Sequence, residues 1–184
     1  MKRFLAWLAT AATLTFALPG AASQDDPRLD ALFGKLQSSQ DIAEAQAVEQ
    51  IIWRVWLVSG DDKIDAIMAH GVRAMTFNDH AVALRAFDEI VRRAPGFAEG
   101  WNKRATIHYL LGNYVASAAD IESTLALEPR HFGALSGLGL VRLAQGDEAK
   151  ALDAFEAALK VHPHLPGADS RIKELRQKVQ GKKI

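Results

Sequence analysis

Three prolines, Pro95, Pro129 and Pro163, stand 34 residues apart, in Ala-Pro, Glu-Pro and His-Pro, and each follows a stretch with helical periodicity. This spacing constrains the fold more than any other feature, because a sequence that returns to one pattern must rebuild one local unit. The agreement extends well beyond the prolines. Counting back from each finds Phe87, Ile121 and Phe155, then the small residues Ala83, Ser117 and Ala151. Further back come Asn78, Gly112 and Gly146, and near each unit's start the large apolar Ile67, Trp101 and Leu135.

Each unit reads as two antiparallel helices joined by a tight turn, where asparagine or glycine takes the left-handed conformation that ends the first helix. The small residue lets the two helix backbones approach, and the larger apolar residue one turn later fills the groove beside it. Proline ends the second helix by removing a backbone donor. The pattern resembles the tetratricopeptide-repeat (TPR) family, whose motif runs W-x-x-L-G-x-x-Y, then A-x-x-x-F, then P over the same period. The third unit carries Leu138-Gly139, Ala151-x-x-x-Phe155 and Pro163. The second keeps Trp101, Gly112, Tyr114 and Pro129 but has Arg104, Ala105 and His108 in place of Leu, Gly and Tyr. The first keeps Gly71, Ala83-x-x-x-Phe87 and Pro95, with His70 in the leucine slot. The resemblance implies an all-α, right-handed superhelix with units at 64–97, 98–131 and 132–165.

The flanks read as further helices. Leu29, Leu32, Phe33 and Leu36 form a helical stripe, and Asp41-x-x-Glu44 reads as a capping box opening a helix that carries Ile51, Ile52, Val55 and Trp56. Residues 24–63 are thus expected to be a divergent helical cap at the N-terminal end of the array. In residues 166–184, Ile172, Leu175 and Val179 share one helix face, with Arg171, Lys173, Arg176 and Lys178 on the other, as a solubilising end helix requires.

The chain has 184 residues and a formal net charge of zero, which gives no electrostatic basis for binding nucleic acid. It has no cysteine, which removes disulfides, thiolate-ligated zinc and thiol nucleophiles. Lys2 and Arg3 precede an apolar run from Phe4 to Leu18, then Pro19-Gly20 and the small residues Ala21-Ala22-Ser23. That is the pattern of a secretory signal peptide over residues 1–23, cleaved after Ser23, and it places the mature chain in the periplasm. An uncleaved anchor is the competing reading, but a spanning helix needs about 20 apolar residues, and here Thr10, Thr13, Thr15 and Pro19 intrude.

In the TPR family the first helices of the units line a concave face that holds extended peptides or helices. Carried over, the open positions are Met68, Val72 and Met75, then Asn102, Lys103, Thr106 and Tyr109, then Ser136, Leu140 and Leu143. Such a groove suits an apolar peptide anchored by Asn102 and Lys103; coverage by the protein's own terminal helices or by a second copy is the alternative. The clamp with which some relatives hold a C-terminal carboxylate is largely missing, because Met68, Val72, Gly133 and Gly137 occupy its places. Arg104 sits in a hairpin-interior slot and must be paired, to Asp120 or Glu122, unless it captures an anion from the groove.

The six histidines have no acidic residues beside them at a ligand spacing, so no metal is expected. Gly133-x-x-x-Gly137-x-Gly139 lies inside a helix with no strand before it, and no catalytic motif or cofactor site is present. The expected function is a non-catalytic module holding an envelope protein or peptide. An adaptor for cytochrome maturation or outer-membrane biogenesis, or a self-assembling homo-oligomer, would also suit these features.

Overall fold

The computed structural model describes residues 23–181, so the signal-peptide segment lies, but for Ser23, outside the described residues. A 3-10 turn (Ser23–Asp25) leads into α1 (Arg28–Ser38) and α2 (Ile42–Trp56). Three helix pairs follow: α3 (Asp62–Thr76) with α4 (His80–Arg93), α5 (Ala98–Leu110) with α6 (Tyr114–Leu127), and α7 (Phe132–Ala144) with α8 (Glu148–Val161). The last helix is α9 (Ala168–Gly181). From α3 to α9 each helix packs on the next, and α5 also touches α7. The described fold is all-helical.

Local chemistry starts and stops these helices where the period requires. The side chains of Asp61, Asp79 and Asp147 accept backbone N–H groups at the starts of α3, α4 and α8. The turns between paired helices carry Asn78, Gly112 and Gly146 at φ 57°, 76° and 79°. The Asp41 cap of α2 accepts from the Ala43 amide, but Glu44 does not close a capping box on the Asp41 amide. Ser39 stands between them, its hydroxyl donating to Glu44 and accepting from Asp41 N–H.

The second unit's departure from the pattern has a steric cause. A Cβ at Gly71 or Gly139 would meet the ring of Phe87 at 2.6 Å or of Phe155 at 2.7 Å, so the large ring requires glycine opposite. Where this chain has Ala105 instead, the facing residue is the smaller Ile121. The two substitutions compensate each other.

The N-terminal helix pair does not cap the first unit. Its apolar stripe (Leu29, Phe33, Leu36, with Ile52 and Trp56 of α2) forms one buried cluster with Phe132, against which Val161 and Leu165 pack. The pair is thus a strap across the loops that join successive units. Gln24 donates to Gly96 O and accepts from Ala98 N at the first of these loops. Arg130 at the second pairs with Asp30 at 2.6 Å and covers the Phe33 ring. His162 and His164 at the third meet the Glu49 carboxylate and Ser39 O. The apolar face of this helix pair is thus buried on the edge where the three loops align.

At the other end α9 covers α8. Ile172 and Leu175 are buried with Ala151 and Phe155, Val179 is half-buried, and the basic residues on the opposite face are exposed.

Candidate functional site

The first helices of the three units, α3, α5 and α7, carry the expected binding positions. Between the second and third units lies a small hollow of 70 Å³ lined by Asn102, Thr106, Tyr109, Ile121, Gly137 and Leu140, among others. Glycine at 137 leaves this space open, since a Cβ there would meet only Ile121 at 3.6 Å. Thr106 spends its hydroxyl on Asn102 O at 3.0 Å, and Tyr109 lies against Tyr114 with ring centroids 5.7 Å apart. Ser136 and Leu143 are half-buried farther along α7, Leu143 packing with Leu140 against the third unit's core.

Several expected positions are not open. Met68 is 2% exposed and shares a buried cluster with Phe97, just before α5, and with Ile107 of the second unit, its unbranched side chain filling the seam between units. Val72 and Met75 are half-buried against that same cluster. The expectation of polar anchors at Asn102 and Lys103 is corrected too. Asn102 is buried and donates to Glu99 Oε2 at 2.9 Å, while Lys103 Nζ lies 2.8 Å from Glu99 Oε1 and 5.2 Å above the Trp53 ring. Both are committed to Glu99, and neither is a free anchor.

Glu99 is the residue that the sequence reading missed. It is fully buried, and besides Asn102 and Lys103 it faces His131 Nε2 at 2.8 Å. His131 caps α7 by accepting the Ala134 N–H on Nδ1, so this geometry needs a neutral ring with its proton on Nε2. Trp56 stacks on that ring at 4.0 Å, with planes 10° apart. Trp53 lies edge-on to both, so close to α7 that a Cβ at Gly133 would fall 2.5 Å from its ring. The strap, the loop between the second and third units and the mouth of the hollow therefore meet at one buried carboxylate.

Burial alone would raise the Glu99 carboxyl, but the Lys103 charge and the His131 hydrogen bond outweigh it and bring the group from 4.5 down to about 2. A depressed carboxyl stabilises the fold above its unfolded-state value and loses that contribution as pH falls through the folded one. Stability should therefore drop between about pH 4.5 and 2, by about 3 kcal/mol from this group. Acid titration followed by circular dichroism checks this, and Glu99→Gln should flatten the acid limb while lowering stability at neutral pH. An acid limb of equal size in the variant would assign it to other carboxylates.

Arg104 is an internal pair. Its guanidinium makes a bidentate contact to Asp120 (2.8 and 2.7 Å), bonds Asp88 of the preceding unit at 3.0 Å and lies 5.0 Å from the Trp101 ring. Glu122, the other partner expected, is exposed. His70, in the same slot of the first unit, is exposed rather than interior, because no described helix stacks where α4 stacks on Arg104.

A tetratricopeptide-repeat family profile matches residues 68–123 and 112–166. A TPR repeat-containing protein of Rhizobium etli is 35% identical over 161 residues, covering 88% of this chain and 79% of that protein. The chain belongs to the tetratricopeptide-repeat family. The Rhizobium match is longer than the three TPR units together, so it includes sequence from the flanking helices. The small glutamine-rich tetratricopeptide repeat-containing protein 2 of Saccharomyces cerevisiae is 29% identical over 99 residues, 54% of this chain and only 29% of that protein. Among solved structures, the TPR2B domain of yeast Sti1, in complex with pHsp70, superposes with a TM-score of 0.60 at 22% identity, covering 64% of this chain and 99% of that domain. That likeness shows the TPR superhelix. TPR domains are protein-interaction modules and, in general, not catalytic.

Proposed function

We propose that this TPR protein is a non-catalytic module of the bacterial periplasm that holds an envelope protein or peptide on the face formed by α3, α5 and α7. The observation that carries this reading is the hollow between Tyr109 and Leu140, the part of that face the strap leaves open. The N-terminal pattern of Lys2-Arg3, an apolar run and a small-residue site supports export.

The ligand is an apolar segment. Lys103 is neutralised by Glu99 and Arg104 by Asp120 and Asp88, so the cations nearest the hollow are already paired. The pHsp70 partner of the yeast domain is therefore a poor guide here, and the carboxylate-clamp places hold Met68, Val72, Gly133 and Gly137. Tyrosine makes a good anchor, since its large ring is buried at little entropic cost.

Tyr109→Ala combined with Leu140→Ser should abolish capture of the partner from envelope extracts while helicity and melting stay near those of the parent chain. Sequencing of the chain recovered from the envelope should give an N-terminus at Gln24. Capture that survives in the folded double variant would move the site off this face. A chain starting at Met1 that sediments with membranes would remove the soluble periplasmic location.

A further inference from the structure

Each TPR unit is built to receive a second helix from the unit before it. In this chain α4 fills that place on the second unit, where Ile90 packs onto Gly100 and Asp88 reaches Arg104. The same face of the first unit has no such cover among the described residues, because α1 and α2 lie across the loops instead. What remains is a groove of 630 Å³ between α3 and α4, lined by Ile67, His70, Val82, Arg85, Ala86 and Glu89.

The chemistry of this face is that of a buried seam with a charge on either side. Val82, Arg85, Ala86 and Glu89 fall at i, i+3, i+4 and i+7 on α4, and Ile67 of α3 lies across from them. Arg85 is exposed and meets no carboxylate among the described residues, whereas Glu89 pairs only with its exposed neighbour Arg93 at 2.9 Å. A strip with one cation and one anion a single helical turn apart is complementary to itself. Turned about a two-fold axis and laid antiparallel on a copy, it sets Arg85 beside Glu89 of the other chain, twice, over the apolar middle.

We infer that the open end of the first unit is a self-association face, on which a second copy of this chain docks through the same surface. The occupant is a copy rather than a continuing stack from the other end, because the Arg85–Glu89 strip complements itself. By contrast α9 is net basic, with Arg171, Lys173, Arg176 and Lys178 against Asp169 and Glu174, and offers Arg85 no carboxylate that is not already paired or outnumbered. α3 and α4 have 15 and 14 residues, so the face is roughly 20 Å on a side. It buries about 1,000 Å² between two copies, the lower limit of a specific interface, and the dimer should be of micromolar affinity. Two hollows between Tyr109 and Leu140 are then carried in one particle, and a partner with two such segments gains from their linkage.

Sedimentation equilibrium of the purified chain over a micromolar to sub-millimolar range tests this. The parent chain should show a reversible monomer–dimer equilibrium. Arg85→Glu should weaken it at least ten-fold, Glu89→Arg should do the same, and the double variant Arg85→Glu/Glu89→Arg should restore it. Circular dichroism confirms the fold of each, since both side chains lie at the surface. A parent chain that stays monomeric throughout overturns the inference, as does a double variant no tighter than the singles. Arg85→Glu that tightens association would instead reveal head-to-tail stacking on the basic α9, and the two-fold arrangement would be wrong. Because the readout is association of the chain alone, it stands or falls independently of peptide capture in the hollow.

Discussion

Trp56→Ala should lower stability by about 3–5 kcal/mol, the usual cost of deleting a fully buried large aromatic, and should free the N-terminal helices from the repeat array. Trp56 is 0% exposed, stacks on His131 and touches the rings of Phe33, Trp53 and Phe132. Among the described residues it shares with Trp53 the two aromatic contacts that tie the strap to the array, to His131 and Phe132. For a chain of this size the loss corresponds to a drop in melting temperature of about 10 °C. Detachment should also open the segment 57–61 to protease. Trp56→Phe should cost much less, because phenylalanine keeps the ring over His131 and removes an indole N–H that has no hydrogen-bond partner. Unchanged melting and unchanged cleavage in Trp56→Ala would mean that α2 is not docked.

Deleting residues 167–184 should be as damaging, through a different route. Without α9, Ala151 and Phe155 face water, and the burial of Ile172 and Leu175 is lost. Each of those two side chains is worth about 1.5–3 kcal/mol, a large part of the margin that holds a small domain folded. The Arg176–Glu156 pair, at 2.7 Å but exposed, adds little to the loss. The truncated chain should melt about 10 °C or more below the parent and aggregate through the bared face of α8. A melting temperature within a degree of the parent would make α9 a solvated tail.

The repeat was legible because it is written three times in one register, each time with the same local chemistry. Turn residues, helix stops and the facing small and large side chains all follow from spacing, and even Asp120 could be named as a partner for Arg104. The strap was not legible. Its ties join residues far apart in sequence, Asp30 to Arg130 and Glu49 to His162, and no period links a segment that occurs once to the loops it crosses. The same gap hid Glu99: Asn102 and Lys103 stand one turn along its own helix, but its burial and its contact with His131 arise only when the loop before α7 lies beside α5. Positions 68 and 102 look open from the motif and are buried in the fold. Met68 is closed over by Phe97, just before α5, and by Ile107 within it, and Asn102 is drawn inward by the buried Glu99 on its own helix.

The strap changes how the array should unfold. A row of units that touch only their neighbours can fray from either end, each hairpin leaving at its own cost. Here one segment is fastened to all three junctions, at Gly96, Arg130 and His164, so the end units are coupled to each other and not only to the middle one. Losing any hairpin then takes part of the fastening from the other two, which favours melting as a single cooperative event. The same coupling sets the curvature of the array in advance. Its inner face is held at a fixed width before a ligand arrives, and less ordering remains to be done on binding.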